Sequence, residues 1–118
     1  MVGRITFARS IFRGAAIYGL VVLLPMYRLA PSDEHLLAYL GFIGLALVFQ
    51  GVFWIIGGDP MRYRALMPMA VLEKLVFAIP ALTLFALGRL DGAVAGFAAI
   101  DAILGGLFLL AWRRLRAT

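Results

Sequence analysis

Three ionisable side chains stand inside long apolar stretches, where an acid or a base is costly unless it has a partner or a purpose. Glu73 and Lys74 share one stretch and Asp101 lies in another. If hydrocarbon surrounds them, each costs about 2.5–3.5 kcal/mol near the bilayer centre. A carboxyl in that setting can hold a proton, donate a hydrogen bond or deliver the proton to an apolar substrate. Paired with a base, it instead clasps two helices in register. Gln50, Arg13 and Tyr18 are the polar residues of the other two stretches that could meet these three.

Depth along a helix sorts the six candidates. At 1.5 Å per residue, Glu73 lies roughly 22 Å from the end of its run near Gly88, level with Gln50 and Arg13. Asp101 lies roughly 14 Å from the start of its own run near Gly92, level with Tyr18. Two polar layers are expected: Arg13, Gln50, Glu73 and Lys74 in one, Tyr18 and Asp101 in the other. Adjacent residues point about 100° apart, so Glu73 and Lys74 cannot both face one partner. Glu73 is expected to face inward and pair with Arg13 or Gln50. Lys74 is expected to pair across another contact or to stretch towards headgroups on its long stem. Asp101, sharing a face with Phe97, Gly105, Phe108 and Trp112, has no basic partner at its depth and is expected to bond Tyr18 or a helix carbonyl. His35, the only histidine, neighbours Asp33 and Glu34, but transition-metal sites generally need more converging ligands.

Four apolar runs must position these residues: about 11–27, 36–57, 65–88 and 93–112 of the 118-residue chain. Each approaches or exceeds the roughly 20 residues that a helix needs to cross a bilayer core. Hydrophobic residues make up 64% of the chain and charged ones 14%, against about a quarter charged in a soluble domain. With a mean hydropathy of +1.02, so little polar surface cannot face water on all sides. The expected fold is one all-α domain over residues 1–118, an integral-membrane up-down-up-down four-helix bundle. The first run follows Arg4, Arg9 and Arg13, as a signal peptide would, but Ala30-Pro31 offers no small-x-small cleavage site, so it reads as a retained span.

The connections carry helix-starting and helix-stopping chemistry. Ser32 or Asp33 can cap the second helix, Asp59 with Pro60 can start the third, Gly88 can end it, and Asp91 can cap the fourth. Pro80 stands well inside the third run and frees the carbonyl of Val76, which implies either a kink or a cavity beside Glu73 and Val76. Small residues recur at four-residue spacing in Gly92 and Gly96, then Ala98, Ala102 and Gly106, and at three-residue spacing on the second helix in Ala38, Gly41 and Gly44. Such rows are expected to pack inside the bundle, with a dimer seam as the alternative.

Charge gives orientation. Eight basic residues (Arg4, Arg9, Arg13, Arg62, Arg64, Arg113, Arg114 and Arg116) fall on the side that holds both termini, and two, Arg28 and Arg89, on the other. The positive-inside rule puts both termini in the cytoplasm. The net charge of +5 is spread over segment ends, which suits anionic headgroups and not a nucleic acid. Tyr27 and Tyr39 near one boundary, and Trp54, Tyr63 and Trp112 near the other, suit interfacial belts. No cysteine is present, which excludes disulfides, thiolate metal sites and cysteine nucleophiles. Walker, HExxH, GxSxG and CxxC motifs are absent, so no cofactor or metal is expected.

The loop Gly58-Asp59-Pro60-Met61-Arg62-Tyr63-Arg64, followed by Ala70-Val71-Leu72-Glu73-Lys74, resembles a pattern in small bacterial four-span inner-membrane proteins of uncharacterised function. The run Asp101-Ala102-Ile103-Leu104-Gly105-Gly106-Leu107-Phe108 is similar to theirs as well. The resemblance covers the last half of the chain and implies a topology and a bacterial inner membrane, not an activity. Small multidrug transporters share the length and span count. Their embedded acid lies in the first helix, where this chain has Arg13 and Tyr18, and the charge bias argues against dual topology.

Three functions follow from the embedded residues. The first is binding or transport of an apolar, amphipathic, lipid-like or isoprenoid molecule beside the acids. The second is an accessory role, packing against a larger membrane protein or a second copy. The third is acid catalysis of isoprenoid or sterol isomerisation or cyclisation by Glu73 and Asp101. The sequence does not decide whether the chain is an enzyme.

Overall fold

Each apolar run becomes a helix, and each helix ends where its chemistry changes. The computed structural model describes residues 1–116, which form α1 (Val2–Leu23), α2 (Leu36–Gly58), α3 (Met67–Ala86) and α4 (Gly92–Arg116), with no strand among them. Short 3-10 segments occupy Leu24–Leu29 and Arg64–Leu66. All four helices, taken with those segments, are long and apolar enough to cross a membrane.

The helix ends follow local rules, with two departures. Gly88 adopts φ +73°, the left-handed turn that stops α3, and Arg89 N–H then donates to Leu84 O at 2.8 Å. Asp91 caps α4 by accepting the Val94 N–H at 3.0 Å. Asp33 does not cap α2 directly. It accepts the His35 N–H at 2.9 Å, closing a side-chain turn just before the helix begins at Leu36, and Ser32 takes no part. Nor does Asp59 start α3: it ends α2, accepts the Arg62 N–H at 3.4 Å and forms a single turn. The third helix proper begins at Met67, with Pro68 in its first turn. The first helix also starts earlier than its apolar run, at Val2.

Arginines gather one end of the bundle. Arg9 Nε donates to Gly57 O at 3.1 Å and Arg13 Nε to Trp54 O at 3.5 Å, so two α1 side chains satisfy the last carbonyls of α2. Arg64 donates to Leu115 O at 3.2 Å and Arg4 to Arg114 O at 3.4 Å, serving α4 in the same way. The start of α1, the end of α2, the start of α3 and the end of α4 therefore meet, and the helices alternate in direction. The aromatic residues of this end lie under guanidinium groups: Trp54 is 4.2 Å from Arg13, Trp112 is 4.8 Å from Arg116 and Tyr63 is 5.5 Å from Arg62. At the opposite end, Tyr39 donates to Met26 O at 2.8 Å and ties α2 to the segment after α1.

The core occupies the arginine-rich half. Phe12, Phe53 and Phe108, all fully buried, join α1, α2 and α4. Phe12 and Phe108 stack at 4.2 Å, and Phe53 meets Phe108 at 5.0 Å with the rings tilted by 60°. Helix α3 packs along α4, α2 along α1, and α1 against α4, whereas α2 and α3 barely touch. The expected glycine rows do not pack within the bundle. Gly41, Gly92, Gly96 and Gly106 are exposed, with nothing within 4 Å of where a β-carbon would stand. Ala98, the member of the small-residue rows that is fully buried, shares the buried face of α4 with Ala95 and Gly105, which lie outside them.

Candidate functional site

The missing contact between α2 and α3 leaves a cleft of about 1340 Å³ in the half of the molecule remote from the arginine-rich end. Its walls are apolar, with Leu45 and Phe49 from α2, Leu72 and Phe77 from α3, Val22 from α1 and Phe97 from α4. One aromatic pair spans the gap: the rings of Phe42 and Phe77 lie 5.9 Å apart. Val76 and Pro80 also line the cleft. The proline that interrupts the α3 ladder, and so frees the Val76 carbonyl, thus borders open space beside Glu73.

The polar residues of the cleft gather on Lys74. The residue is only 3% exposed, and its Nζ lies 3.7 Å from Glu73 Oε2 and 3.5 Å from Asp101 Oδ1. Both separations exceed the 2.7–2.9 Å or so of a tight charge-assisted bond, so the ammonium is shared loosely between two carboxylates. It also stands 5.1 Å from the Phe53 ring centroid, directly over the aromatic core. Gly105 makes this possible. A β-carbon there would come within 3.2 Å of Lys74 Cβ, so the absence of one lets α3 and α4 approach. Lys74 is thereby level with Gly105, and Asp101 is one turn away, roughly 6 Å along the axis, within reach of a lysine stem.

This geometry corrects several expectations. Asp101 does have a basic partner, and the two expected polar layers are one cluster joined by Lys74. Of the two outcomes expected for Lys74, it pairs across another contact, with Asp101 on α4, and does not stretch to headgroups; it is among the most buried polar residues. Glu73 pairs with neither Arg13 nor Gln50. Arg13 lies outside the cluster, stacked on Trp54 with its stem against Gly57. Gln50 spends its amide on its own helix, donating from Nε2 to Ala46 O at 2.8 Å. Tyr18 does not bond Asp101.

Gln50 and Tyr18 nevertheless line the cleft with the three charged residues. Gln50 enters against α1 only because Gly19 has no side chain: a β-carbon at Gly19 would overlap the Gln50 carboxamide. Gly19→Ala is therefore expected to push Gln50 out of place and to lower stability by about 1–3 kcal/mol, as overpacking does. The unfolding midpoint in micelles, followed by tryptophan fluorescence, reads this. A second change, Gln50→Ala, should recover most of the loss, and no recovery would mean that the overlap is not the cause.

Three polar atoms are buried and lack a hydrogen-bond partner among the described residues: Tyr18 Oη, Gln50 Oε1 and Glu73 Oε2. Buried polar atoms are normally satisfied, and all three belong to cleft residues. Asp91, legible in the sequence only as a helix cap, lies at the far rim of the same cleft. The apolar lining had no sequence signal, because wall residues such as Phe42 and Phe77 look like any lipid-facing side chain. Elsewhere, the His35 ring lies 3.1 Å from Asp33 in an exposed loop. No family model, no curated protein and no solved structure matches the chain, so only this geometry bears on its activity.

Proposed function

We propose that the chain is a multi-pass protein of a bacterial inner membrane, with both termini cytoplasmic, that binds or carries an apolar or amphipathic small molecule in the cleft between α2 and α3. The observation that carries this reading is the convergence of an apolar cleft on a polar cluster with three unsatisfied buried atoms. An amphipathic guest meets both requirements, its chain covering the walls and its head supplying the missing partners. The arginine-rich end, which holds eight of the basic residues, faces the cytoplasm by the positive-inside rule. The cleft then opens at the level of the outer leaflet, where a lipid-like molecule can reach it without crossing water.

Close association with a larger membrane protein or a second copy is the alternative, and the outward-facing Gly92 and Gly96 favour it, because small residues let a foreign helix approach. One experiment separates the two. Native mass spectrometry of the chain released from its own membrane is expected to show a retained small molecule. Ala46→Phe, which places a ring in the cleft, should abolish that retention while shifting stability by no more than about 1 kcal/mol, since open space receives the ring. A spectrum with a second polypeptide and no small molecule would favour the association reading. Equal retention by both proteins would overturn the cleft as the site.

A further inference from the structure

The electrostatics of the cleft go further than its shape. The chain carries a net charge of +5, yet the charged residues lining the cleft, among those described, are three carboxylates (Glu73, Asp91 and Asp101) and a single ammonium, Lys74. None of the ten arginines lines the cleft: Arg28 and Arg89 flank its rim residues Met26, Leu29 and Leu90 in sequence, and most of the others are engaged with carbonyls and aromatic rings at the opposite end. The acids are also placed in sequence: Asp91 at the rim, then Asp101 and Glu73 at the floor. An entering cation meets a carboxylate at both ends of its path.

The unsatisfied atoms point the same way. Gln50 Oε1 and Glu73 Oε2 are acceptors, and the Tyr18 hydroxyl can accept as well as donate. What Gln50 Oε1 and Glu73 Oε2 lack is a hydrogen-bond donor. Lys74 does not supply it, because its ammonium stands 3.5 Å and 3.7 Å from the two carboxylates and leaves most of their lone pairs free. A carboxylate or phosphate head would bring acceptors to acceptors and negative charge to negative charge. A hydroxyl head would satisfy one atom and leave the charge unbalanced.

Building on the proposed binding role of this cleft, we infer that its guest is a lipophilic amine: an apolar chain carrying a protonated amino head, which donates to Glu73, Asp101 and Gln50 while the chain lies between α2 and α3. Three N–H donors on one cation match the three acceptor residues of the floor. The Phe49 and Phe77 side of the wall suits the adjoining methylenes.

A head-group series at constant chain length tests this. The protein in phosphatidylcholine nanodiscs is titrated with dodecylamine, dodecan-1-ol and dodecanoate, and the thermal unfolding midpoint is read by tryptophan fluorescence. Dodecylamine is expected to bind about tenfold more tightly than either of the others, the ratio that one charge-assisted hydrogen bond supports. The double variant Glu73→Gln/Asp101→Asn, whose floor keeps the Lys74 cation without its carboxylates, should lose the preference for dodecylamine over dodecan-1-ol and dodecanoate. Equal or tighter binding of the alcohol or the carboxylate by the natural protein would overturn the amine and leave the cleft standing as a binding site. A midpoint unmoved by all three would overturn the cleft reading itself. Because the series is read on the unaltered chain, it decides between these outcomes even if the double variant fails to fold.

Discussion

Lys74→Met is expected to be the most damaging single change in the cluster, lowering stability by about 3 kcal/mol. The methionine keeps the stem that packs beside Gly105 and removes only the ammonium. Two carboxylates then share one buried floor without a counter-charge, the situation in which breaking an ion pair costs most. Two effects hold the figure down: Glu73 and Asp101 keep 16% and 21% of their side-chain surface, and polar contacts in membrane proteins are worth less than their isolation suggests. Reversible unfolding in mixed micelles, followed by the fluorescence of Trp54 and Trp112, measures the loss. Adding Glu73→Gln and Asp101→Asn should recover most of it, because amides need no counter-charge. If Lys74→Met proves as stable as the natural chain, the ammonium does not hold α3 to α4. If the triple variant is no better than the single one, packing and not charge is what Lys74 contributes.

The same cluster shows where sequence reasoning reached and where it stopped. The four helices were legible because apolar runs of membrane-spanning length leave little choice, and Gly88 and Asp91 mark their ends through backbone chemistry that depends on a few neighbouring residues. Glu73, Lys74 and Asp101 could be singled out from their apolar surroundings alone. Their pairing could not, since counting depth from each helix end assumed parallel, evenly aligned axes. Lys74 meets Asp101 because Gly105 brings α3 close at that level, and closeness between two helices is a property of both. The glycine rows misled for a related reason. Spacing says that Gly92 and Gly96 share a face, but not whether that face turns inward, and the buried face of α4 runs through Ala95, Ala98 and Gly105. Arg9 read as a segment-end charge suited to headgroups and Arg13 as a partner for Glu73, because nothing in the sequence reveals that the carbonyls of Trp54 and Gly57 end within their reach. The cleft is hardest of all, being an absence of contact between α2 and α3 that no residue type announces.

Phe108→Ala is expected to cost about 2 kcal/mol, and the origin of that figure differs from that in a water-soluble core. In water, deleting a buried phenylalanine costs about 3–5 kcal/mol, much of it for moving an apolar ring out of solvent. A chain that unfolds within lipid keeps its rings in hydrocarbon, so that transfer term largely vanishes. What remains is lost dispersion and ring geometry, and Phe108 has two such partners, Phe12 at 4.2 Å and Phe53 at 5.0 Å, each worth about 0.5–1.5 kcal/mol. Phe97→Ala supplies the comparison: on the same helix but 46% exposed and bordering the cleft, it should cost well under about 1 kcal/mol. The change at Phe108 should also be felt at the cleft floor, because Phe53 lies beneath the Lys74 ammonium and Phe108 holds Phe53 in place. Combined with Lys74→Met, the two losses should therefore fall short of additivity by about 0.5 kcal/mol or more, the behaviour of residues that share a partner. Additive losses would show that the aromatic core and the charged floor are independent, and a Phe108→Ala no worse than Phe97→Ala would show that the stacked triad does not bind the three helices together.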